Sequence, residues 1–271
     1  MSPRVLITGA AGGIGSATVD QLRATGAEVL GLDLLPDAEG GVVACDVRSQ
    51  ASVDAAVAEA VERLGGLDVL INNAGIGLPQ ASGERPDASA DAVIDVNLLG
   101  PWRVTAAALP ALRASHGRVV NVASGLAYMA VPMAPAYCMA KRGLTAYSDS
   151  LRIEHGDAIS VTTVYPGYIR TPIHDAAAEQ GLSLDGAVPA ERVSDAARTL
   201  VRASLGAPVR DLATTRRGGV GYFLLRHLPR RLIDWFIAGR SRKVIAATLG
   251  PQPSTRSSHA RQAVKASEEA S

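Results

Sequence analysis

The chain has 271 residues, 47% of them hydrophobic and 20% charged, with 27 lysines and arginines against 26 acidic residues. That length and balance suit one large α/β domain with a substantial core and exclude an intrinsically disordered chain. A net charge of +1 gives no overall attraction to nucleic acid, so an electrostatic partner has to be sought in a local patch.

The two cysteines, Cys45 and Cys138, are far apart and form no CxxC pair, so neither a disulfide framework nor a zinc site is expected. A reducing compartment fits. Val5-Leu6-Ile7 follows Met1-Ser2-Pro3-Arg4 directly and is too short for a secretory signal, and no uninterrupted apolar stretch reaches the ~18 residues that cross a bilayer. The expectation is a cytoplasmic protein, peripheral at a membrane at most.

Val5-Leu6-Ile7 reads as a first strand running into Thr8-Gly9-Ala10-Ala11-Gly12-Gly13-Ile14-Gly15, after which Ala17, Val19 and Leu22 follow helical spacing. Strand, glycine turn and helix is the order of a dinucleotide site. Glycine lets backbone approach a pyrophosphate, which then meets the open N–H groups of the helix start. The spacing here is GxxxGxG, and alone it also describes an ordinary loop. The next strand, Glu28 to Leu32, ends at Asp33, where a carboxylate can accept hydrogen bonds from ribose hydroxyls and would repel a 2′-phosphate. Neither Gly12 nor Leu34 offers a compensating arginine, so NAD(H) is expected over NADP(H).

Val42 to Cys45 reads as a third strand closing on Asp46-Val47, and residues 52–64 place Val53, Val57, Val61 and Leu64 on one helical stripe. Leu67 to Ile71 is a nearly continuous apolar strand ending in Asn72-Asn73-Ala74-Gly75. Strands alternating with helices make a doubly wound parallel sheet the economical topology. Further on, the strand Arg118 to Ala123 ends at Ser124. Tyr137 and Lys141 then stand four residues apart on one helix face, where a lysine cation would favour the phenolate and bring the phenol toward a useful acid/base range. By itself YxxxK usually marks an exposed helix.

Taken together, Thr8-Gly9-x-x-x-Gly13-x-Gly15, Asn72-Asn73-Ala74-Gly75, Ser124, Tyr137-x-x-x-Lys141 and Pro166-Gly167 followed by Thr171 resemble the classical short-chain dehydrogenase/reductase family. The order matches, as does the spacing of thirteen residues from serine to tyrosine, over roughly residues 4–215. The resemblance implies a Rossmann fold with a parallel sheet of about seven strands. It also implies Tyr137 as acid/base, Lys141 lowering its pKa and holding the nicotinamide ribose, Ser124 bonding the reacting oxygen, and Asn97 kinking its helix behind the lysine. Gly9, Ala11, Gly12, Gly13, Ile14 and Gly15 would cradle the cofactor phosphates, with Asp46 and Val47 at the adenine and Asn73, Ala74 and Gly75 along the cleft. Pro166, Gly167, Ile169 and Thr171 would hold the carboxamide side. One departure is Gly125, where many relatives carry serine or a bulkier residue. Singly, Ser124, Asn97 and Thr171 also read as caps and turn formers. A homodimer or homotetramer through the helices near 101–114 and 137–155 is implied. Two alternatives are an NADP(H)-dependent ketone reductase and a non-catalytic dinucleotide sensor of the same fold.

Substrate specificity should reside in the loops after Ser124 and Thr171. Residues 126–135 carry Tyr128, Met129 and Met133 and no charge, and the second loop contributes Ile173, Leu182, Leu184 and Val188. That wall suits a hydrophobic secondary alcohol or ketone, steroid-, terpenoid- or acyl-chain-like, with His174 read as a surface residue. Residues 1–215 would form the dehydrogenase domain, 216–249 a basic helical extension and 250–271 a disordered tail. Within the extension, Leu225, Leu228, Leu232, Trp235 and Phe236 project to one side and Arg226, Arg230 and Arg231 to the other, with Pro229 dividing two short helices. A lid, a subunit contact and a peripheral membrane contact through 220–245 all fit such a pattern.

Overall fold

The computed structural model describes residues 2–179, 190–235 and 237–239. Leu182, Leu184, Val188, Phe236 and the expected tail at 250–271 lie outside the described residues. Seven strands make one wholly parallel sheet, in the spatial order β3 (Val42–Ala44), β2 (Glu28–Asp33), β1 (Arg4–Thr8), β4 (Val69–Asn72), β5 (Arg118–Val122), β6 (Ser160–Tyr165) and β9 (Asp211–Ala213). A two-residue pair, β7 (Tyr168–Ile169) with β8 (Ala190–Glu191), stands apart from it. This is a doubly wound Rossmann-type sheet.

The continuous apolar runs have a direct cause: side chains alternate across each strand, and both faces are covered. In β1, Leu6 joins a core beneath α2 (Gln50–Leu64), α4 (Gly100–Ala114) and α5 (Pro135–His155). Val5 and Ile7 point the other way, onto α1 (Gly13–Ala24) and α7 (Val193–Leu205). The stripe expected at 52–64 is α2, with Val53 and Val57 buried and Val61 and Leu64 at its margin. Ser49 caps that helix by accepting from the Ser52 N–H, and Gly65 ends it at φ +66. One strand is shorter than its apolar run: 67–71 becomes Val69–Asn72. Apolarity reports burial, and Leu67 is buried without belonging to the ladder.

Strand order reverses between β1 and β4, so their carboxyl ends diverge and open a crevice there. Ahead of α4, helix α3 (Ala88–Ile94) passes into a π-helical turn at Asp95–Leu99. Asn97 makes that turn. Its Nδ2 donates to the Val93 carbonyl four residues back and to the Ile76 carbonyl, both at 2.8 Å, displacing the backbone ladder. After β9 comes α8 (Arg216–His227), a break at Leu228-Pro229, and a second helical stretch from Arg230.

Candidate active site

The turn after β1 packs against the turn after β4, and small residues are required there by protein contacts. Gly9 has φ +68, and a Cβ on it would lie 2.8 Å from the Ala74 Cα; one on Gly15 would overlap the Gly9 carbonyl oxygen. Thr8 Oγ1 accepts from the N–H groups of Asn73 and Ala74 at 3.0 and 2.9 Å. The Asn73 amide in turn donates to the Thr8 and Gly9 carbonyls at 3.0 and 3.1 Å. Asn73 therefore braces the glycine turn. Helix α1 starts at Gly12 with no side-chain cap, so its first N–H groups are left for an anion.

Asp33 closes the outer end of this crevice. Its two oxygens accept from the Ala11 and Leu34 N–H groups, each at 2.8 Å, which orients the carboxylate while leaving lone pairs for a further donor. Asp46 and Val47 lie beside it on the same crevice, together with a residue that sequence reasoning passed over, Arg48. Arg48 grips Asp46 through two parallel bonds, Nε to Oδ1 at 2.9 Å and Nη2 to Oδ2 at 2.7 Å, holding that carboxyl below its usual range.

Deeper in, α5 presents Tyr137 and Lys141 on one face. Lys141 is only 4% exposed, and its Nζ donates to the Val122 carbonyl at 2.9 Å. Burial lowers its pKa to about 8. Tyr137 keeps some surface toward the crevice, yet burial pushes its phenol up to about 12, opposed by a hydrogen bond with Ser124. The expected lowering of the phenol by the lysine is thus corrected for this protein. The ammonium is tied to Val122 and stands over the Tyr137 ring, 5.7 Å from its centroid, while desolvation disfavours charge on both groups.

Ser124 caps the turn at Gly125–Ala127, accepting from the Leu126 N–H at 3.2 Å. Next to it, the Gly125 N–H donates to the Pro166 carbonyl at 3.2 Å. The far side of the same peptide is also held, because the Gly167 N–H donates to Glu191 at 2.9 Å. Glu191 accepts from the Thr214 hydroxyl and, at 2.7 Å, from the Thr215 hydroxyl that caps α8. No local pattern announces Glu191. Its signal is purely tertiary: one carboxylate joins the turn beside Ser124 to the start of α8. Thr171 bonds the Ile169 carbonyl at 3.4 Å, and its methyl approaches Gly13 from across the crevice.

Asn97 stands behind the site and takes no part in its wall. It is fully buried, and its Oδ1 has no hydrogen-bond partner. A Cβ on Gly75 would sit 2.7 Å from that oxygen and 3.6 Å from Lys141 Nζ, so a side chain there would fill the space between them.

Apart from Asn97, the sequence-predicted site residues border one cavity of about 750 Å³, from the glycine turn and Asp33 to Ser124, Tyr137, Lys141 and Thr171. Leu78, Leu126, Met129, Val131 and Ile173 add an apolar part to its lining, and His174 reaches it too, contrary to a purely surface role. Tyr128 turns away from this wall. Its ring packs edge-on to Tyr222 of α8 at 4.9 Å, and Tyr165 joins them at 4.1 Å from Tyr222.

A family profile for short chain dehydrogenases matches residues 3–181. The chain belongs to the short-chain dehydrogenase family. The oxidoreductase UcpA of Escherichia coli K12 is 34% identical to this short-chain dehydrogenase over 214 residues, covering 70% of this chain and 81% of UcpA. Trans-4-hydroxycyclohexanecarboxylate dehydrogenase of Sinomonas cyclohexanicum is 35% identical over 192 residues, 62% of this chain and 73% of that enzyme. In fold, a Burkholderia cenocepacia short chain dehydrogenase in complex with NADP superposes with TM-score 0.73 at 23% identity, covering 87% of this chain and 98% of that one. A Burkholderia phymatum relative in complex with NAD gives 0.72 at 20% identity, over 82% and 92%. The family is one of oxidoreductases acting on alcohol and ketone groups with a nicotinamide dinucleotide, and the glycine turn, uncapped helix start and acidic strand end of this short-chain dehydrogenase fit that group.

Proposed function

We propose that the protein is an NAD(H)-dependent oxidoreductase interconverting a hydrophobic secondary alcohol and its ketone. One observation carries the reading: Ser124, Tyr137 and Lys141 meet the glycine turn and Asp33 on a single cavity whose lining is in part apolar. A bound nicotinamide dinucleotide supplies the hydride chemistry. The chain's own groups handle the rest. Ser124 donates to the reacting oxygen, and Tyr137, protonated through the neutral range, gives its proton to a carbonyl or takes one from an alcohol after ionising. Lys141, charged below about pH 8, supports that ionisation once a ligand reorders the hydrogen bonds around it. Asn97 offers its unpaired Oδ1 behind Gly75 as an acceptor in the proton path.

Cofactor choice rests on Asp33. Its carboxylate meets the adenosine ribose hydroxyls, while the guanidinium nearest on the cleft, Arg48, is already neutralised by Asp46 and is poorly disposed to offset a 2′-phosphate. Residues Leu78, Leu126, Met129, Val131 and Ile173 favour an apolar substrate. Exposed Trp102, stacked on Tyr147 at 5.3 Å, and Ile153 belong to the helices through which a homo-oligomer would form. The test is titration with NADH and NADPH, followed by turnover of steroid, terpenoid and aliphatic alcohols with each oxidised cofactor. NADH binds more tightly in the wild type, and Asp33→Asn removes about 10- to 100-fold of that preference, the worth of one hydrogen bond to a charged group. Equal discrimination in wild type and variant would overturn the cofactor assignment.

A further inference from the structure

The end of the described chain carries a surface unlike the rest. Six exposed large apolar side chains, Val220, Phe223, Leu224, Leu228, Leu232 and Trp235, fall within residues 220–235, against five among all the other described residues. On α8 the positions 220, 223 and 224, continued by 228, form one stripe, while Tyr222 and Leu225 turn inward. Leu225 thus parts from Leu228, Leu232 and Trp235, with which the helical projection groups it. Packing on Tyr128 and Tyr165 claims the other face instead. Phe223 is 59% and Trp235 74% exposed.

Charge is segregated onto the same segment. Residues 216–243 hold eight of the 27 lysines and arginines and one of the 26 acidic residues, which makes this stretch +7 and the remainder of the chain −6. Arg226 is paired with Asp211 at 3.2 Å, but Arg230 and Arg231 are exposed and have no ion pair among the described residues. Asp234 is the one acid within residues 216–243.

We propose that residues 220–235 dock the protein on an anionic lipid surface, with the apolar stripe and Trp235 entering the interface and Arg230 and Arg231 meeting headgroups. Apolar area and basic charge are the two signals that peripheral anchoring combines. Arg230 and Arg231 would meet the negative surface, and the chain outside residues 216–243, net −6 by sequence, is the part that surface repels, so charge also favours this orientation. A second copy is the poorer occupant. A two-fold contact places this patch against itself, setting Arg230 and Arg231 beside their own copies. The docked helices are not a loose tail: Tyr222 and the Thr215 cap fasten α8 to Tyr128 and Glu191, hence to both sides of the Ser124 turn.

The experiment is co-sedimentation of the full chain with vesicles of phosphatidylcholine alone and of equal parts phosphatidylcholine and phosphatidylglycerol, at low and high salt. Binding to the anionic vesicles at low salt, its release at high salt, and no binding to phosphatidylcholine support the proposal. Trp102→Phe leaves Trp235 as the sole tryptophan, and its emission shifts to the blue on anionic vesicles. Arg230→Ser with Arg231→Ser weakens partitioning about 30-fold, and Leu228→Ser with Leu232→Ser abolishes it while cofactor binding is kept. No binding to anionic vesicles, or binding undiminished in both variants, overturns the proposal. So does an oligomer seen by light scattering that Leu228→Ser with Leu232→Ser dissociates in a chain that ignores vesicles, since the face then belongs to a second copy.

Discussion

At the junction of β1 and β4, three glycines answer to a neighbour: Gly9 to Ala74, Gly15 to Gly9, Gly75 to Asn97. On α8 the glycines at 219 and 221 meet little or nothing, and Phe223, Leu224, Leu228, Leu232 and Trp235 beyond them face outward. The first region is over-determined by packing, so its sequence is constrained before any ligand is considered. The second is held along its inner edge, by Tyr222, the Thr215 cap, the Arg226–Asp211 pair and buried Ile233, while its outer residues are exposed. Constraint by protein contacts and the constraint by a lipid surface that we propose would thus leave different marks. One appears as residues that cannot grow, the other as residues that need not be apolar yet are.

The largest effect that would break this contrast is at Gly15. Gly15→Ala drives a methyl into the Gly9 carbonyl, and urea unfolding should show a loss of about 3 kcal/mol, near the upper end for overpacking. A stable variant that merely binds cofactor less well would mean that the turn is shaped by ligand alone. Between the two regions stands Glu191. Glu191→Ala frees the Gly167 N–H and two threonine hydroxyls at once, and kcat is expected to fall about tenfold, the worth of one charged hydrogen bond, with cofactor affinity kept. Glu191→Gln, which retains an acceptor, should recover most of it. A loss confined to thermal stability, with kcat intact, would reduce Glu191 to a structural tie. The smallest effect is at Phe223: Phe223→Ser removes an outward side chain and should move stability by no more than about 0.5 kcal/mol. A drop of several times that would show the face to be covered by protein.

The parts legible in the sequence were those whose signal is local. Continuous apolar runs mark strands covered on both faces, the Gly9-to-Gly15 spacing marks the turn after β1, and four-residue spacing brings Tyr137 and Lys141 together whatever surrounds them. What the sequence hid depends on distant partners. Arg48 neutralising Asp46, Glu191 reaching Gly167, and Tyr128 leaving the cleft for Tyr222 are choices among contacts that only the folded chain offers. The titration of Tyr137 belongs to this second kind. Spacing put a cation beside a phenol, but burial of both groups and the Val122 carbonyl decide which charge state is held.

That point leads to the measurement closest to the central claim, turnover of wild type and Tyr137→Phe across pH in both directions, with cofactor binding measured alongside. Because the buried phenol stays protonated until about pH 12, alcohol oxidation by the wild type should rise with pH through the neutral range, while carbonyl reduction should not. Tyr137→Phe should bind NADH within about threefold of wild type yet lose roughly 10²- to 10⁴-fold in turnover, with no pH slope left. Turnover near the wild-type level in Tyr137→Phe, or an unchanged pH slope, would contradict the assignment of the proton to this residue.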